Sequence, residues 1–183
     1  MNAENQTAVC LRQAVDEDLP AIVDILQSTV DWFRPFLFWD ELESQHDVDL
    51  DWADELLEER EVWTAELDGE VVGMLSWLDA GDYLYVGHVF VDRRHVRQGV
   101  GSLLVDHAAA EARSQGKLGV VALVHPRATW AVGAARKFGF ECIANSDASV
   151  CKWNDGWMEP YHERGSHLWL WNTAPEASVA ERE

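Results

Sequence analysis

Positively charged residues are scarce in this chain. Its 183 residues include 14 lysines and arginines against 33 aspartates and glutamates, which gives a formal net charge of -19. The lysines are Lys117, Lys137 and Lys152. Such a surface repels phosphates, which argues against nucleic acid and against membrane surfaces as partners. It suits a cationic small molecule, and it is also typical of proteins that stay dissolved in a high-salt cytoplasm.

Cysteines and long apolar runs are scarce as well. Cys10, Cys142 and Cys151 are odd in number, lie far apart and form no C-x-x-C pair, so we expect reduced thiols rather than disulfides. Their spacing to His162 and His167 matches no zinc pattern, and we expect no metal site. The N-terminal residues lack the pattern of a signal peptide, and no apolar run reaches membrane-spanning length. We therefore expect a cytoplasmic protein.

The spacing of apolar residues predicts a mixed α/β domain. Asp68-Gly69, a strong hairpin signal, separates two strand-like runs within residues 61–77. The other predicted strands lie at 8–15, 83–92, 117–125, 140–144 and 166–171, and the predicted helices at 16–29, 47–61, 100–116 and 127–139. No change of composition marks a domain boundary, so we expect one domain over residues 1–172 and a disordered tail over 173–183.

The scarce cations concentrate in one stretch, "DRRHVRQGVGS", residues 92–102. Arg93, Arg94 and Arg97 come directly before Gly99 and Gly101, and a helical apolar spacing follows. A helix start offers unpartnered backbone N–H groups and partial positive charge, and glycine lets a ligand approach the backbone. The stretch therefore predicts a phosphate-binding site in which the arginines gather the phosphates.

Two common phosphate-binding loops do not fit this stretch. The dinucleotide fingerprint G-x-G-x-x-G would need glycine at position 104, where Leu104 stands. A P-loop would need Gly-Lys followed by serine or threonine, which the chain lacks. What remains is an x-x-G-x-G pyrophosphate loop that follows a mid-chain strand and opens a helix.

Four segments, in the right order, resemble the GNAT superfamily of acyl-CoA-dependent N-acyltransferases. "LRQAVDEDLPAIVDIL" is similar to the first strand and helix of that family, and "WTAELDGEVVGML" to its second and third strands. "VFVDRRHVRQGVGSLLVDHA" resembles the fourth strand, the pyrophosphate loop and the third helix, and "ARKFGFE" the end of the fourth helix. The resemblance implies a mixed, mostly antiparallel central sheet of about seven strands flanked by about four helices. Dimers are common in the family, which leaves a homodimer open here.

The resemblance also implies acetyl-CoA as cosubstrate, without a metal. The pyrophosphate would be held by backbone N–H groups of Arg97, Gln98, Gly99, Val100, Gly101 and Ser102. The pantetheine arm would pair, like an added strand, with Val89, Phe90 and Val91. One main-chain N–H of that strand would polarise the thioester carbonyl.

The family's usual proton donor has no counterpart in this chain. Where many members carry a tyrosine that protonates the departing CoA thiolate, this chain has Ala135. Tyr161, His125 or water are the alternatives, and Tyr161 is the candidate catalytic acid.

The family's usual proton acceptor is also replaced. Many members carry a glutamate early in the fourth strand, where this chain has Tyr85. A charged amine with a pKa near 10 must lose a proton before it attacks, so His88 on the same strand is the candidate base. A hydrogen-bonded structural histidine is the alternative for His88, and Glu41 and Glu159 are further candidate bases.

Two features of the sequence are candidates for deciding which acceptor binds. An aromatic block is either core or acceptor pocket: Trp32, Phe33, Phe36, Phe38 and Trp39. Carboxylates beside it, such as Asp31 and Asp40, suit a cationic amine through ion pairing and cation–π contact. We expect direct acetyl transfer, in a ternary complex, to the primary amine of a small cationic acceptor such as an amino acid or polyamine. Protein N-termini or lysines, or a non-catalytic acyl-CoA-binding module, are the alternatives.

Overall fold

The computed structural model describes residues 8–33 and 48–173. Its strands are β1 (Cys10–Gln13), β2 (Glu61–Leu67), β3 (Glu70–Asp79), β4 (Tyr83–Val91), β5 (Gly119–Val124), β6 (Glu141–Ala144) and β7 (His167–Asn172). Its α-helices are α1 (Leu19–Phe33), α2 (Leu50–Glu59), α3 (Val100–Ser114), α4 (Thr129–Phe138) and α5 (Asp147–Cys151). The aromatic block beyond Phe33, with Asp40 and Glu41, lies outside the described residues.

The strands form one seven-stranded sheet in the order β1-β2-β3-β4-β5-β7-β6. The pairs β1/β2, β5/β7 and β6/β7 are antiparallel, whereas β4 and β5 are parallel. A parallel pair needs a crossover, and α3 provides it. The predicted mixed, mostly antiparallel α/β sheet of seven strands is confirmed. The described residues contain five α-helices rather than about four.

The predicted hairpin at Asp68-Gly69 joins β2 to β3. Asp68 has φ = 54° and Gly69 has φ = 81°. Left-handed backbone at both central residues is what a two-residue type I′ turn requires, and Asp-Gly tolerates it well. This turn fixes the register in which β3 pairs with β2, and the register decides which side chains of β3 lie on each face of the sheet.

The described residues fall into two compact units, and the first comprises residues 8–33, 48–76 and 88–104. Its core packs α1 and α2 on β2 and β3 through buried apolar side chains: Ile22, Val23, Ile25, Leu26, Ala53, Leu56, Val62 and Met74. Helix α2 begins where the Asp49 carboxylate accepts a hydrogen bond from the Trp52 N–H, 3.0 Å away. The apolar face of α2 therefore packs into the core of this unit, and the opposite face carries exposed acidic residues.

The second unit comprises residues 77–87 and 105–173. Residues 146–165, a polar and aromatic stretch expected to form a loop between the last two strands, contain α5 and two 3-10 turns. Ser146 caps α5 by accepting a hydrogen bond from the Ser149 N–H, and Val150 and Met158 are fully buried. These apolar residues anchor a segment whose overall polarity suggested a loop. Thr173, the first residue of the expected tail, is buried, and its N–H donates to the Leu118 carbonyl at 3.0 Å.

Candidate functional site

Asp92 organises the loop that leads from β4 into α3. Its N–H donates to the Val72 carbonyl at 2.8 Å, which ties the loop to β3. Its carboxylate accepts from the Arg94 N–H at 2.7 Å, and its own carbonyl accepts from the His95 N–H at 2.8 Å. These bonds close a 3-10 turn over Arg93–His95. The first half of the loop is therefore built by a buried aspartate.

Arg94 is committed to carboxylates of the protein, in contrast to the expected role in gathering phosphates. Its guanidinium donates to Asp92 at 2.9 and 3.1 Å and to Glu70 at 2.7 Å. Hydrogen bonds from Arg94 hold the pKa of the Asp92 carboxyl below its usual value. Arg94 therefore fixes the loop against β3. The rest of the loop, residues 97–99, is determined by its backbone angles.

The second half of the loop has the backbone of an anion cradle. Arg97 has φ = 65° and Gly99 has φ = 89°, and α3 begins directly afterwards at Val100. The Leu103 N–H donates to the Gly99 carbonyl at 3.0 Å, so the N–H groups of residues 100–102 precede the first intrahelical bond. With the helix dipole, they favour a negatively charged ligand.

The two glycines of the loop leave room that residues 8–33 and 48–173 do not fill. A Cβ placed on Gly99 would meet no atom within 4 Å, and one on Gly101 would meet the Val91 side chain at an ordinary 3.6 Å. Packing within the described chain therefore does not require glycine at position 101. No described residue crowds the backbone at Gly99, as the expected pyrophosphate site requires.

Gly73 on β3 lets α3 begin close to the sheet. A Cβ there would lie 3.0 Å from a Val100 methyl, 3.2 Å from Leu104 and 3.2 Å from the Phe90 carbonyl oxygen. Val100 and Leu104 are almost completely buried. The N-terminus of α3 is therefore held by close packing on β3 and β4, and its N–H groups keep a fixed position.

The expected pantetheine segment, Val89–Val91, forms the last part of β4 and lies in the first unit. The three residues are partly exposed. The ladder between β4 and β5 runs from Tyr83–Gly119 to Val86–Ala122, and β4 continues to Val91. The segment leads directly into the Asp92 loop, so strand and cradle are continuous in this unit. Pairing of its backbone with pantetheine stays a prediction.

His88 is enclosed by protein on most sides. Its Nδ1 lies 2.7 Å from the Oγ of Ser76, a fully buried residue of β3. Trp52 meets the imidazole edge-on with ring centroids 5.7 Å apart, and Phe90 lies 5.9 Å away on the same strand. Burial, reinforced by the positive charge of Arg60, lowers the pKa of His88 to about 4. The imidazole is therefore neutral at neutral pH and held by one hydrogen bond.

The low pKa of His88 makes the protein less stable in mild acid. The unfolded chain takes up a proton near pH 6.5 that the folded chain refuses until about pH 4. Stability should therefore fall as the pH is lowered through this window, by about 1.4 kcal/mol per pH unit at the steepest. We expect urea unfolding between about pH 5 and pH 7 to show a weaker pH dependence in His88→Gln than in the unaltered protein. Equal slopes would contradict a buried neutral imidazole.

An open cavity of about 230 Å³, here called the α2 cavity, adjoins His88. It is lined by Trp52, Glu55, Leu56, Glu59, Arg60 and His88. Positions 52, 55, 56 and 59 recur at helical spacing, so one stripe of α2 forms the wall. The lining combines an aromatic face, two exposed carboxylates, one guanidinium and a neutral imidazole. Such a lining can hold a small polar molecule.

Tyr161, the candidate acid, lies in the second unit. It belongs to a 3-10 turn, Glu159–Tyr161, and its ring packs 4.9 Å from Trp157 and 5.5 Å from Tyr85, centroid to centroid. His125, the alternative donor, lies in the same unit, and its Nδ1 accepts from the Arg127 N–H at 3.2 Å. Ala135, at the family's tyrosine position, is buried in α4. The described contacts place Tyr161 in an aromatic cluster, and its role as acid stays a prediction.

Sequence reasoning did not find several residues around His88. Ser76 stands in the apolar run "GMLSWL", where a lone serine signals a buried polar contact. Glu55, Glu59 and Arg60 do not stand out within an acidic helix, although their spacing from Trp52 gave a usable signal.

Within residues 8–33 and 48–173, no group of three or more histidine, cysteine or acidic side chains is arranged to hold a metal ion. None of the described helices is both long and apolar enough to cross a membrane.

Comparison with known proteins agrees with this geometry. A family model of the acetyltransferase (GNAT) family matches residues 26–140. Phosphinothricin N-acetyltransferase of Streptomyces viridochromogenes is 32% identical over 127 residues, which cover 62% of this chain and 64% of that enzyme. The matched region thus spans less than two thirds of that curated relative.

Solved structures share the fold at low identity. PaiA N-acetyltransferase of Thermoplasma acidophilum, in complex with coenzyme A, gives a TM-score of 0.71 at 12% identity over 90% of this chain and 99% of that chain. YncA of Salmonella typhimurium, with its cofactor acetyl-CoA, gives 0.66 at 21% identity over 96% and 100%. With the family match, the seven-stranded sheet and the glycine cradle at the start of α3, the chain belongs to the GNAT acetyltransferase family.

Proposed function

We propose that this protein transfers the acetyl group of acetyl-CoA to the primary amine of a small, cationic acceptor, directly and in a ternary complex. The observation that carries the proposal is the anion cradle: left-handed Arg97 and Gly99 immediately before the start of α3. In the family this element binds the pyrophosphate of CoA. The relative that is named as an N-acetyltransferase supports nitrogen as the acetylated atom.

The residues that would hold acetyl-CoA follow β4 and the loop in order. Backbone groups of Val89–Val91 would pair with the pantetheine arm, and the N–H groups of residues 97–102 would hold the pyrophosphate. Arg94 contributes indirectly, because its ion pairs with Asp92 and Glu70 fix the loop. A strand and a helix start held on one sheet keep the two halves of this site at a constant distance.

Acetyl transfer joins the amine nitrogen to the thioester carbon and releases CoA as a thiolate, so protons must leave nitrogen and reach sulfur. An ammonium group has a pKa near 10, and His88, with a pKa of about 4, is too weak a base to deprotonate it before the attack. The acceptor therefore attacks as the neutral amine, after its first proton has passed to solvent, and His88 can take the second proton, which becomes far more acidic once nitrogen bonds to the carbonyl carbon. This role requires that Nδ1–H donates to Ser76 and that Nε2 stays unprotonated. Tyr161 is the candidate that returns a proton to the sulfur.

A small cationic acceptor is favoured by the lining of the α2 cavity. Glu55 and Glu59 are exposed carboxylates one helical turn apart, and the aromatic Trp52 lines the same cavity. An ammonium group gains from both kinds of contact. The cavity volume of about 230 Å³ suits a metabolite-sized molecule.

A non-catalytic acyl-CoA-binding module is the second candidate, and Ala135 favours it. At that position many family members carry the tyrosine that protonates CoA, and here a buried alanine stands in its place. Such a module would bind acetyl-CoA without transferring the acetyl group.

Binding and turnover separate the two candidates. Saturating acetyl-CoA, at about 100 times its Kd, should stabilise the folded chain by about 2.7 kcal/mol, which is a rise in Tm of roughly 5–10 °C. Acetate at the same concentration is the control and should leave Tm unchanged. Release of CoA in the presence of a panel of amines then identifies an enzyme. Stabilisation without turnover would favour the binding module, and no stabilisation would contradict both candidates.

A further inference from the structure

The segment between β6 and β7, residues 145–166, is closed on itself by one carboxylate. Asp147, the first residue of α5, accepts a hydrogen bond at Oδ1 from the Gly165 N–H, 2.8 Å away. The same oxygen lies 3.0 Å from the Nε2 of His162. An ionised carboxylate only accepts hydrogen bonds, so Nε2 carries a proton and donates to Asp147. This pair of bonds, here called the Asp147 clasp, joins residues that are 15 and 18 positions apart in the chain.

The clasp is built on a charged group. Hydrogen bonds from the Gly165 N–H and from His162 hold the pKa of the Asp147 carboxyl below its usual value, so it is ionised at neutral pH. The Asp147 side chain is half exposed, whereas the His162 side chain is largely buried. Hydrogen bonds to an ionised acceptor are shorter and stronger than those between neutral groups. The carboxylate therefore fixes the orientation of a mostly buried imidazole.

His162 directly follows Tyr161, the candidate acid. Tyr161 is the last residue of a 3-10 turn, and His162 is the C-cap of that turn. The Tyr161 N–H donates to the Met158 carbonyl at 3.1 Å, and the Met158 side chain is fully buried in the core of the second unit. The backbone of Tyr161 is therefore held on one side by Met158 and on the other side by the clasp.

Aromatic packing alone does not determine where the Tyr161 hydroxyl lies. The ring centroid lies 4.9 Å from that of Trp157 and 5.5 Å from that of Tyr85. Aromatic pairs are favourable over centroid distances of about 4.5–7 Å, so these contacts tolerate a slide of the ring. Proton transfer needs donor and acceptor atoms about 2.6–3.2 Å apart, and a misplacement of about 1 Å can cost about 100-fold in rate. The directional bonds of the clasp supply the restraint that the packed rings lack.

We propose that Asp147, acting through His162, is a positioning residue that sets Tyr161 for protonation of the departing CoA. This inference rests on the proposed function and on Tyr161 as its acid. In that step the phenolic O–H bond breaks, an S–H bond forms on the CoA thiolate, and the phenolate regains a proton from water. Asp147 and His162 neither gain nor lose a proton. The donor that many family members carry on α4, where this chain has Ala135, is thereby replaced by one held between β6 and β7.

A double-mutant cycle tests this role. The rate of CoA release is measured with saturating acetyl-CoA and an amine that the protein acetylates. Asp147→Ala removes both bonds of the clasp and should lower kcat by about tenfold, while the KM of the amine and the Kd of acetyl-CoA change by less than about twofold. In the Tyr161→Phe background, Asp147→Ala should change kcat by less than about twofold, because no acid then remains to be positioned.

Two further variants serve as controls. Asp147→Asn keeps an oxygen that can accept from both partners and should retain kcat within about threefold of the unaltered protein. Asp155→Asn removes an exposed carboxylate from the same segment, at φ = 57° where asparagine is tolerated, and should leave kcat unchanged. A smaller fraction of folded enzyme lowers kcat by the same factor in both backgrounds of the cycle, so a positioning effect stays distinct from a folding effect.

The outcomes also separate this inference from the proposed function. An equal loss of kcat for Asp147→Ala in both backgrounds, or no loss at all, would overturn the positioning role and leave acetyl transfer intact. Full kcat in Tyr161→Phe would remove Tyr161 as the acid, and with it this inference, while N-acetyl transfer stands. Stabilisation by acetyl-CoA without turnover of any amine would instead overturn the proposed enzymatic function.

Discussion

Gly99→Asp should abolish measurable binding of acetyl-CoA, with a loss in affinity of about 100-fold or more. Gly99 has φ = 89°, where an L side chain is strained by about 1–3 kcal/mol. Apart from the neighbouring residues 98 and 100, no atom of the described part of the chain lies within 4 Å of the new Cβ, so the carboxylate has room to enter the cradle. There it satisfies the N–H groups at the start of α3 and repels phosphate. Because an acidic residue near a helix start is itself favourable, the variant should still fold.

The measurement is the Kd of acetyl-CoA by titration calorimetry. Gly81→Asp is the matched control, since Gly81 has φ = 72°, has no atom within 4 Å of a Cβ and lies outside the cradle. Gly99→Ala separates backbone strain from charge and should lose less affinity than the aspartate variant. Arg94→Ala should cost less than about tenfold, because Arg94 acts through Asp92 and Glu70. An Arg94→Ala defect larger than that of Gly99→Asp would mean that side chains, not the backbone, hold the phosphates.

Much of the fold follows from local chemistry that the sequence displays. Asp68-Gly69 is read as a type I′ turn because few other residue pairs adopt left-handed backbone twice in succession, and the structure has both positive φ values. Gly139 ends α4 with φ = 91°, as a glycine after a helix is expected to do. The helix at Asp147–Cys151 was not predicted, because its stability comes from burial of Val150 in the second unit rather than from its own sequence pattern.

The candidate site likewise has a part that the sequence predicts and a part that it does not. The cradle was predictable because glycine, helix start and sequence order are all local. The ion pair between Arg94 and Glu70 was not predictable, because Glu70 lies 24 residues away on β3. His88 was found as a titratable residue on β4, but its low pKa depends on burial and on Arg60, and its hydrogen-bond partner Ser76 lies on β3. Long-range packing therefore decides how the catalytic candidates behave.

His88→Gln should lower kcat by about 100-fold while changing the Kd of acetyl-CoA little. The imidazole is the neutral acceptor proposed for the second amine proton, and glutamine can keep a polar contact but cannot take a proton at neutral pH. Ser76→Ala should lower kcat by about tenfold. Without the Ser76 hydroxyl, the His88 proton is no longer held on Nδ1, so Nε2 is unprotonated in only part of the molecules, although the imidazole itself is still present. Tyr161→Phe tests the acid independently and should lower kcat if Tyr161 protonates the CoA sulfur. Steady-state kinetics with a fixed acceptor measure all three.

The pH profile distinguishes this role of His88 from that of a conventional base. With a pKa of about 4, His88 should contribute no acid limb above about pH 5.5. The limb in kcat/KM should instead follow the acceptor amine and move to lower pH with acceptors of lower pKa. His107→Gln, which alters another histidine whose pKa is lowered by burial, is the control and should keep kcat. A limb near pH 6.5 that is independent of the acceptor and disappears in His88→Gln would mean that His88 titrates in the working enzyme and acts before the attack.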